Sequence, residues 1–203
     1  MADAVMNQKV SNRSLALFAL ALLLAACGER SQPPPLAGAT MGGAINLIGG
    51  DGQRVPDSRF AGQYRIVYFG YTFCPDVCPV DLALVGAALR RFEAEDAPRA
   101  ARITPIFVTV DPARDTPEVV RAYAARFHPR IVALSGSEEE IAQVARRYAI
   151  YYQRQQPAQP GGAYLVDHSR QIVLYGPEGQ PIAILPHDQG VDGFVAELRR
   201  WVR

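Results

Sequence analysis

The sequence predicts an α/β fold, in which strands alternate with amphipathic helices around one mixed sheet. Two apolar runs, Arg65–Phe69 and Ile103–Val110, are typical of buried strands, and each is followed by a segment with apolar residues at helical spacing. Strands that alternate with helices need crossover connections and a sheet that is covered on both faces. The 203-residue chain leaves about 160 residues after its N-terminal segment, which suits one domain with a proper core.

The first elements are a hairpin and a βα unit. Gly42–Leu47 leads into a glycine-rich turn at Gly49–Gly52, and we expect the returning strand to end near Arg54–Val55. Arg65–Phe69 is the next predicted strand. The helix after it shows apolar residues at helical spacing, namely Leu82, Val85, Leu89 and Phe92.

Two further βα units follow, and helix-capping residues mark both helices. The predicted elements are a strand at Ile103–Val110, a helix from Thr116 to about Phe127, a short strand at Ile131–Leu134 and a helix from Ser137 to about Tyr148. Thr116 is a good N-cap residue and Pro117 fits the first helical position. Ser137 and Glu140 have the spacing of a capping box.

The last part of the domain is predicted as a loop, two strands and a helix. Gln153–Gly162 is rich in Gln, Pro and Gly and is typical of a loop, and Pro177–Gly179 is typical of a turn. Strands are expected at Ala163–Asp167 and Gln171–Tyr175, and the terminal helix is expected at Val191–Val202. The complete order predicts a thioredoxin-like fold with an added N-terminal β-hairpin.

The N-terminus has the pattern of an export signal. Lys9 and Arg13 precede an apolar run of about a dozen residues, Leu15–Ala26, which is too short for a membrane span. The ending Leu-Ala-Ala-Cys at Cys27 resembles a bacterial lipobox, which implies lipidation of Cys27 and a membrane anchor. The alternatives are an ordinary cleavage site near Cys27 or an uncleaved apolar anchor. All three place the remaining chain outside the cytoplasm, on the periplasmic side in a Gram-negative host.

These signals divide the chain into three parts. Residues 1–26 form the signal peptide, residues 27–41 form a lipidated Cys and a proline-rich tether, and residues 42–203 form the globular domain. Without the signal peptide the net charge is near zero and there is no basic stripe. We therefore expect no nucleic-acid partner.

Cys74 and Cys78 are the two remaining thiols. They lie four positions apart at the start of the predicted helix, so both sulfurs share one face and could hold a metal ion or form a disulfide. A domain of this size needs no structural disulfide, and closing so short a loop restrains the unfolded chain little. The pair is therefore interpreted as functional.

The chain contains three histidines that could complete a metal site with the thiols. Soft sulfur favours Cu(I), and sulfur with imidazole also accepts Cu(II) or zinc. His168 lies between two predicted strands and is either a ligand or a polar residue at a strand turn. His128 follows a predicted helix and is interpreted as a C-terminal cap, and His187 as a surface residue.

Four motifs together resemble those of the Sco (SenC) family. They are Phe69–Pro79, Val110–Pro117, Phe127–Arg130 and Val166–Ser169, and the similarity runs from about Gly42 to the C-terminus. The resemblance implies a thioredoxin-like copper protein that helps to assemble the binuclear copper centre of cytochrome c oxidase.

The resemblance also implies roles for particular residues. Cys74, Cys78 and His168 correspond to the family's copper ligands, for Cu(I), Cu(II) or both. Asp111 either orients a ligand or caps the following turn through its side chain. Phe73 stands where the family often has His, so we expect retained copper binding with altered access or redox poise. The loop at Gln153–Gly162 does not follow the family pattern.

Two roles remain open for the thiols. The first is a copper chaperone, whose partners are the copper-centre subunit of the oxidase and a periplasmic copper donor. The second is a thiol–disulfide reductase in which Cys74 and Cys78 are the redox-active pair and a separate thiol reductant resets them. Against the reductase as the only role, three residues separate the cysteines, where dithiol oxidoreductases usually have two.

Overall fold

The fold is described from a computed structural model, in which residues 32–157, 159 and 162–203 are defined. The elements are β1 (Leu47–Gly49), β2 (Arg54–Val55), a 3₁₀ helix (Asp57–Phe60), β3 (Tyr64–Gly70), α1 (Val77–Glu95), α2 (Ala97–Ala101), β4 (Ile103–Thr109), α3 (Pro117–Ala125), β5 (Val132–Ser135), α4 (Glu138–Arg147), β6 (Tyr152–Arg154), β7 (Val166–His168), β8 (Ile172–Tyr175), β9 (Pro181–Leu185) and α5 (Gly190–Trp201). The predicted signal peptide and Cys27 lie outside the described residues.

Within the described residues, seven strands form one mixed sheet in the order β2-β1-β5-β4-β3-β8-β9. Strands β3, β4 and β5 run parallel, as crossover helices require. Strands β8 and β9 extend the sheet on one side with antiparallel pairing. On the other side β1 pairs antiparallel with both β5 and β2, and Leu47 lies opposite Val55.

Strand β3 is the centre of the core and leads directly to the thiols. All seven of its residues are buried, which is typical of a strand covered on both faces. Helix α1 buries Leu82, Val85, Leu89 and Phe92, the four positions that the sequence periodicity predicts, and it packs against α5. The buried apolar side chains on both sides of the sheet fix the start of α1 at the carboxyl end of β3.

The predicted helix caps are confirmed. The Thr116 side chain accepts a hydrogen bond from the N–H of Val119, and Pro117 is the first helical residue. Ser137 and Glu140 form both bonds of a capping box. Caps of this kind stabilise a helix by about 1 kcal/mol each.

The structure corrects three parts of the prediction. Gln153 and Arg154 were expected in a loop but belong to strand β6, which pairs antiparallel with β7 in a separate two-stranded sheet. His168 is therefore the last residue of β7, opposite Tyr152, instead of lying between two strands of the main sheet. Pro181–Leu185, which had no assignment, is edge strand β9, and its proline occupies the first strand position, where proline is tolerated.

The compact domain begins somewhat earlier than Gly42. The N–H of Leu36 donates to the carbonyl of Ile182 in β9 at 3.0 Å, and the compact unit extends from Pro34 to Arg203. The last residues of the predicted tether therefore lie against the edge of the sheet. Among the described residues, every helix is too short or too polar to cross a bilayer.

Candidate metal centre

The thiols lie in the turn that joins β3 to α1. Gly70 ends β3, and a Cβ atom at this position would lie 2.9 Å from the Cys78 sulfur. A side chain at Gly70 would therefore displace the sulfur, so the close approach of strand and thiol requires glycine. This explains why the motif has glycine directly before the cysteine loop.

Cys78 lies in the first turn of α1, whereas Cys74 lies in the loop three residues before the helix begins at Val77. The two thiols therefore do not share a helix face as the sequence predicted, and both are free. The backbone N–H of Cys78 donates to the Cys74 sulfur at 3.5 Å, while the Asp76 side chain makes no capping bond. The sulfur thus occupies the place of a helix-capping acceptor, where free N–H groups favour negative charge. Cys78 is fully buried, whereas Cys74 is partly exposed.

His168 approaches the thiols from the end of β7. Its Nε2 atom lies 3.3 Å from the Cys78 sulfur, and its Nδ1 atom lies 2.9 Å from the Ser169 carbonyl oxygen. Because a carbonyl can only accept, Nδ1 carries the proton and Nε2 presents its lone pair to the thiols. The Tyr71 ring contacts the imidazole edge-on, with 5.9 Å between ring centroids.

The structure therefore brings the three predicted ligands together. The two sulfurs and the imidazole nitrogen all lie within 4.8 Å of one another, close enough to meet a single ion. In the part of the chain that the structure describes, this is the one group of three or more His, Cys, Asp or Glu side chains with such convergence. Two soft sulfurs with one imidazole fit copper or zinc better than a hard cation.

Burial sets the protonation of the site. It raises the pKa of the Cys78 thiol and lowers the pKa of the His168 imidazole, because both charged forms lose solvation. At neutral pH both side chains are uncharged, so a cation that binds here must displace the thiol proton of Cys78.

A buried network below the site connects α1 with the segment after His168. Asp81 is fully buried, accepts a hydrogen bond from the Tyr68 hydroxyl at 3.0 Å and forms two bonds of 2.8 Å with Arg170. Sequence reasoning missed this network. Its one signal was a carboxylate among the apolar positions of α1, one turn after Cys78.

A second missed carboxylate, Asp115, holds the cysteine loop. It is fully buried and accepts hydrogen bonds from the backbone N–H of Thr72 at 2.9 Å, the Thr72 hydroxyl at 2.5 Å and the Thr109 hydroxyl at 2.6 Å. Burial raises the pKa of Asp115. These bonds tie the loop before Cys74 to the end of β4.

Asp111 lies outside the ligand cluster and contacts residues of the two neighbouring loops. Among the described residues, its buried carboxylate accepts hydrogen bonds from Arg114 and from the Tyr164 hydroxyl, the latter at 2.8 Å. The Arg114 guanidinium lies 3.7 Å from the ring centroid of Tyr164 and 4.7 Å from that of Phe73. Asp111 and Arg114 thus connect the loop that precedes Cys74 with the loop that leads to His168.

The other two histidines lie away from the cluster. His128 is buried, with Nε2 3.4 Å from the Glu93 carboxylate and Nδ1 accepting the N–H of Arg130 at 3.3 Å. Burial lowers the pKa of His128. His187 is exposed. The surface assignment of His187 is confirmed, whereas the interpretation of His128 as a C-terminal cap is wrong, because its ring contacts Glu93 and accepts the N–H of Arg130 instead of binding the last helix carbonyls.

Comparison with known proteins gives one consistent result. The SCO1/SenC family profile matches residues 34–203. Protein SCO1 homolog 1, mitochondrial, of Arabidopsis thaliana is 38% identical over 174 residues, which are 84% of this chain and 51% of the relative. The chain spans about half the length of the curated relatives it matches.

Solved structures with the same fold include several with copper bound. Arabidopsis thaliana ScoI with copper bound has a TM-score of 0.71 and 36% identity, and the match covers 79% of this chain and 97% of that one. Yeast Sco1 with copper bound has a TM-score of 0.73 and 32% identity, and the match covers 80% of this chain and 88% of that one.

Proposed function

The chain belongs to the SCO1/SenC family, and from this premise we propose that it is a copper chaperone that binds copper through Cys74, Cys78 and His168. Its client is the copper-centre subunit of cytochrome c oxidase, as the family resemblance implies. The observation that carries the proposal is the convergence of two sulfurs and one imidazole nitrogen within 4.8 Å.

The three ligands differ in their exposure and in their hydrogen bonds. Cys78 is the fully buried donor and His168 is half-buried, and the hydrogen bond from Nδ1 to the Ser169 carbonyl keeps the His168 lone pair directed at the thiols. Cys74 is partly exposed, and its sulfur accepts one hydrogen bond from the N–H of Cys78. Copper binding releases the thiol protons to water.

Release of copper is a ligand exchange. A sulfur or nitrogen atom of the client enters the coordination shell as the bond from the metal to a chaperone sulfur breaks. Cys74 is the first ligand to be replaced, because an incoming group reaches its exposed side before it reaches Cys78. The reprotonated thiols then regain their neutral, metal-free form.

The N-terminal parts of the proposal place this chemistry at a membrane. Residues 1–26 act as a signal peptide, Cys27 carries the lipid, and the proline-rich segment at residues 27–41, whose last residues already belong to the compact unit from Pro34, tethers the domain at residues 42–203. The location is extracytoplasmic, on the periplasmic side in a Gram-negative host. The copper comes from a donor protein in the same compartment.

The test is an anaerobic copper titration of the reduced protein, followed by absorption and electron paramagnetic resonance. We expect one ion per chain, with thiolate-to-copper charge transfer for Cu(II). The band should disappear in Cys74→Ser/Cys78→Ser, and copper affinity should fall at least tenfold in His168→Ala because one of three ligands is lost. His187→Ala is the matched control and should titrate like the wild type. Equal affinity in His168→Ala and wild type would refute the site as drawn.

The unequal exposure of the two thiols favours a second candidate function, a thiol–disulfide reductase. The Cys74 thiolate would attack a client disulfide, forming a mixed disulfide and releasing one client thiolate. Cys78 would then attack the Cys74 sulfur, releasing the second client thiolate and leaving a Cys74–Cys78 disulfide. Two electrons pass to the client, and an external dithiol reductant must reset the pair. Ready exchange without specific copper binding in the titration would favour this function.

A further inference from the structure

A groove of about 350 Å³ opens beside the cysteine loop, between that loop and helix α3. We call it the α3 groove. Its lining residues are Thr72, Phe73, Val119, Ala122, Tyr123 and Arg126. Thr72 and Phe73 directly precede Cys74 in the chain, so the groove continues the surface around this partly exposed thiol.

The walls of the α3 groove are apolar and exposed. The Phe73 side chain is 55% exposed and Val119 is 38% exposed. Val119, Ala122 and Arg126 lie at positions i, i+3 and i+7 of one helix face, so they form a continuous stripe. Exposed apolar surface that is concentrated in this way marks a protein interaction site.

A cation stands at one end of this apolar stripe. The Arg126 guanidinium lies over the Tyr123 ring, 4.6 Å from the centroid, and its nitrogen Nε makes a long hydrogen bond of 3.5 Å to the Tyr123 carbonyl. Within the described part of the chain no carboxylate lies within ion-pair distance of Arg126, and no acidic side chain lines the groove. The groove is therefore complementary to an occupant that carries negative charge at this end.

Tyr123, one of the residues that line the groove, carries an unsatisfied polar group. The Tyr123 hydroxyl is buried and has no hydrogen-bond partner among the described residues. The Tyr123 ring is fixed between Phe107 and Phe127, with centroid distances of 5.8 and 5.1 Å. A buried hydroxyl without a partner is unfavourable, so a polar backbone group of an occupant that pushed between Phe73 and α3 would be stabilised there.

From these observations we infer that the α3 groove docks an extended segment of a client protein, with an apolar side chain between Phe73 and Ala122 and a carboxylate two residues further on at Arg126. The spacing follows from geometry: Ala122 and Arg126 are about 6 Å apart along the helix, at about 1.5 Å per residue. In an extended segment, residues i and i+2 lie on one side, about 6.6 Å apart. The inference deepens the proposed function, because it seats client chain next to Cys74.

The experiment measures binding of short peptides to the uniformly ¹⁵N-labelled full chain by chemical-shift titration. The probe is acetyl-Gly-Leu-Ser-Asp-Gly-amide. The control peptides replace Asp by Asn or Leu by Ala. We expect the largest shifts at Phe73 and along α3, and weaker binding of both control peptides, by about threefold for the Asn peptide, as for loss of an exposed ion pair.

Protein variants separate docking from folding. Arg126→Gln should bind the Asp and Asn peptides equally, whereas the matched control Arg121→Gln, on the same helix but against Gly50, should keep the preference. Tyr123→Phe should raise or preserve the free energy of unfolding while it weakens peptide binding. A purely structural role for the hydroxyl would not produce these opposite changes.

Three outcomes would overturn the inference. They are peptide shifts that lie outside the α3 groove, an Asp preference that survives Arg126→Gln, and concentration-dependent shifts at α3 without peptide, which would show that a second copy of the chain fills the groove. Copper titration of the same variants keeps the two hypotheses apart. If the wild type does not bind copper, only the proposed function is refuted, and the peptide titration still decides the docking inference.

Discussion

The thiols and the imidazole belong to regions that are built in different ways. Cys74 and Cys78 lie where fully buried strand β3 meets α1, and the preceding loop is held by the buried Asp115 carboxylate. His168 lies on the two-stranded β6–β7 sheet, where β6 has exposed residues and no main-sheet neighbour. The thiols are therefore part of the domain core, whereas His168 belongs to a separate two-stranded sheet. We call this sheet, β6 (Tyr152–Arg154) with β7 (Val166–His168), the arm.

The arm is held by a few side-chain contacts instead of a continuous strand ladder. The Tyr71 hydroxyl accepts the N–H of Val166 at 3.2 Å, Arg170 binds Asp81, and Arg114 binds the Tyr164 carbonyl at 3.0 Å. Local opening is cheapest where few buried contacts must break. The comparison predicts that the thiol side is preorganised, and that the distance from His168 to the thiols is the part of the geometry that can relax.

The largest expected effect on stability comes from Asp81, which links the two regions through its bonds to Tyr68 and Arg170. In Asp81→Ala, the Tyr68 hydroxyl loses its buried partner and Arg170 loses its carboxylate. We expect a loss of about 3 kcal/mol in the free energy of unfolding, at the low end for a broken buried pair because Arg170 is partly exposed. Urea denaturation of the metal-free protein measures it. Asp76→Ala, on the exposed N-cap of the same helix, is the control and should change stability by less than about 0.5 kcal/mol.

A second change tests whether the arm can loosen by itself. Arg114→Gln removes the stacking on Tyr164 and Phe73 and breaks the pair with Asp111, so we expect a loss of about 2 kcal/mol. Hydrogen exchange of the β6–β7 amides should become more than tenfold faster, while β3 amides follow only the change in global stability. Arg114→Lys should not restore the arm, because an ammonium group lacks the planar fork. Equal acceleration in β3 and β7 would contradict the separation into core and arm.

The same comparison explains what could be predicted from the sequence. The buried face of α1 and the caps at Thr116 and Ser137 are local patterns, and the structure contains them. The two thiols converge as predicted, but through the loop that precedes α1 and not through helical i, i+4 spacing. The pairing of β6 with β7 depends on residues far apart in sequence, and its strand Tyr152–Arg154 lacks apolar alternation. The elements around the thiols could therefore be predicted from the sequence, whereas the β6–β7 pairing that carries His168 could not.

The contacts that position the arm are more distant still in sequence. Asp81 and Arg170 are 89 residues apart, and Tyr164 reaches Asp111 across 53 residues. No periodicity or capping rule connects such pairs. His168 itself was assigned as a ligand through the family resemblance, and its convergence with Cys74 and Cys78 became visible only in three dimensions.

The smallest expected effect is at Phe73, the position where this chain departs from the family pattern. Its ring is more than half exposed, and its contact with Arg114 at 4.7 Å is one that an imidazole ring could also make. Phe73→His should therefore change the free energy of unfolding by less than about 0.5 kcal/mol. Copper stoichiometry should stay at one ion per chain, because Phe73 is not one of the three converging residues.

The effect of Phe73→His should appear in the reactivity of Cys74 instead. In the variant, an imidazole replaces the apolar ring next to Cys74. When this imidazole is charged, it favours the thiolate form of Cys74. Alkylation of Cys74 by iodoacetamide should become faster below about pH 7, where the imidazole is charged, with Phe73→Leu as the apolar control. An unchanged alkylation rate together with a large loss in the free energy of unfolding would mean that Phe73 supports the domain core and does not tune Cys74.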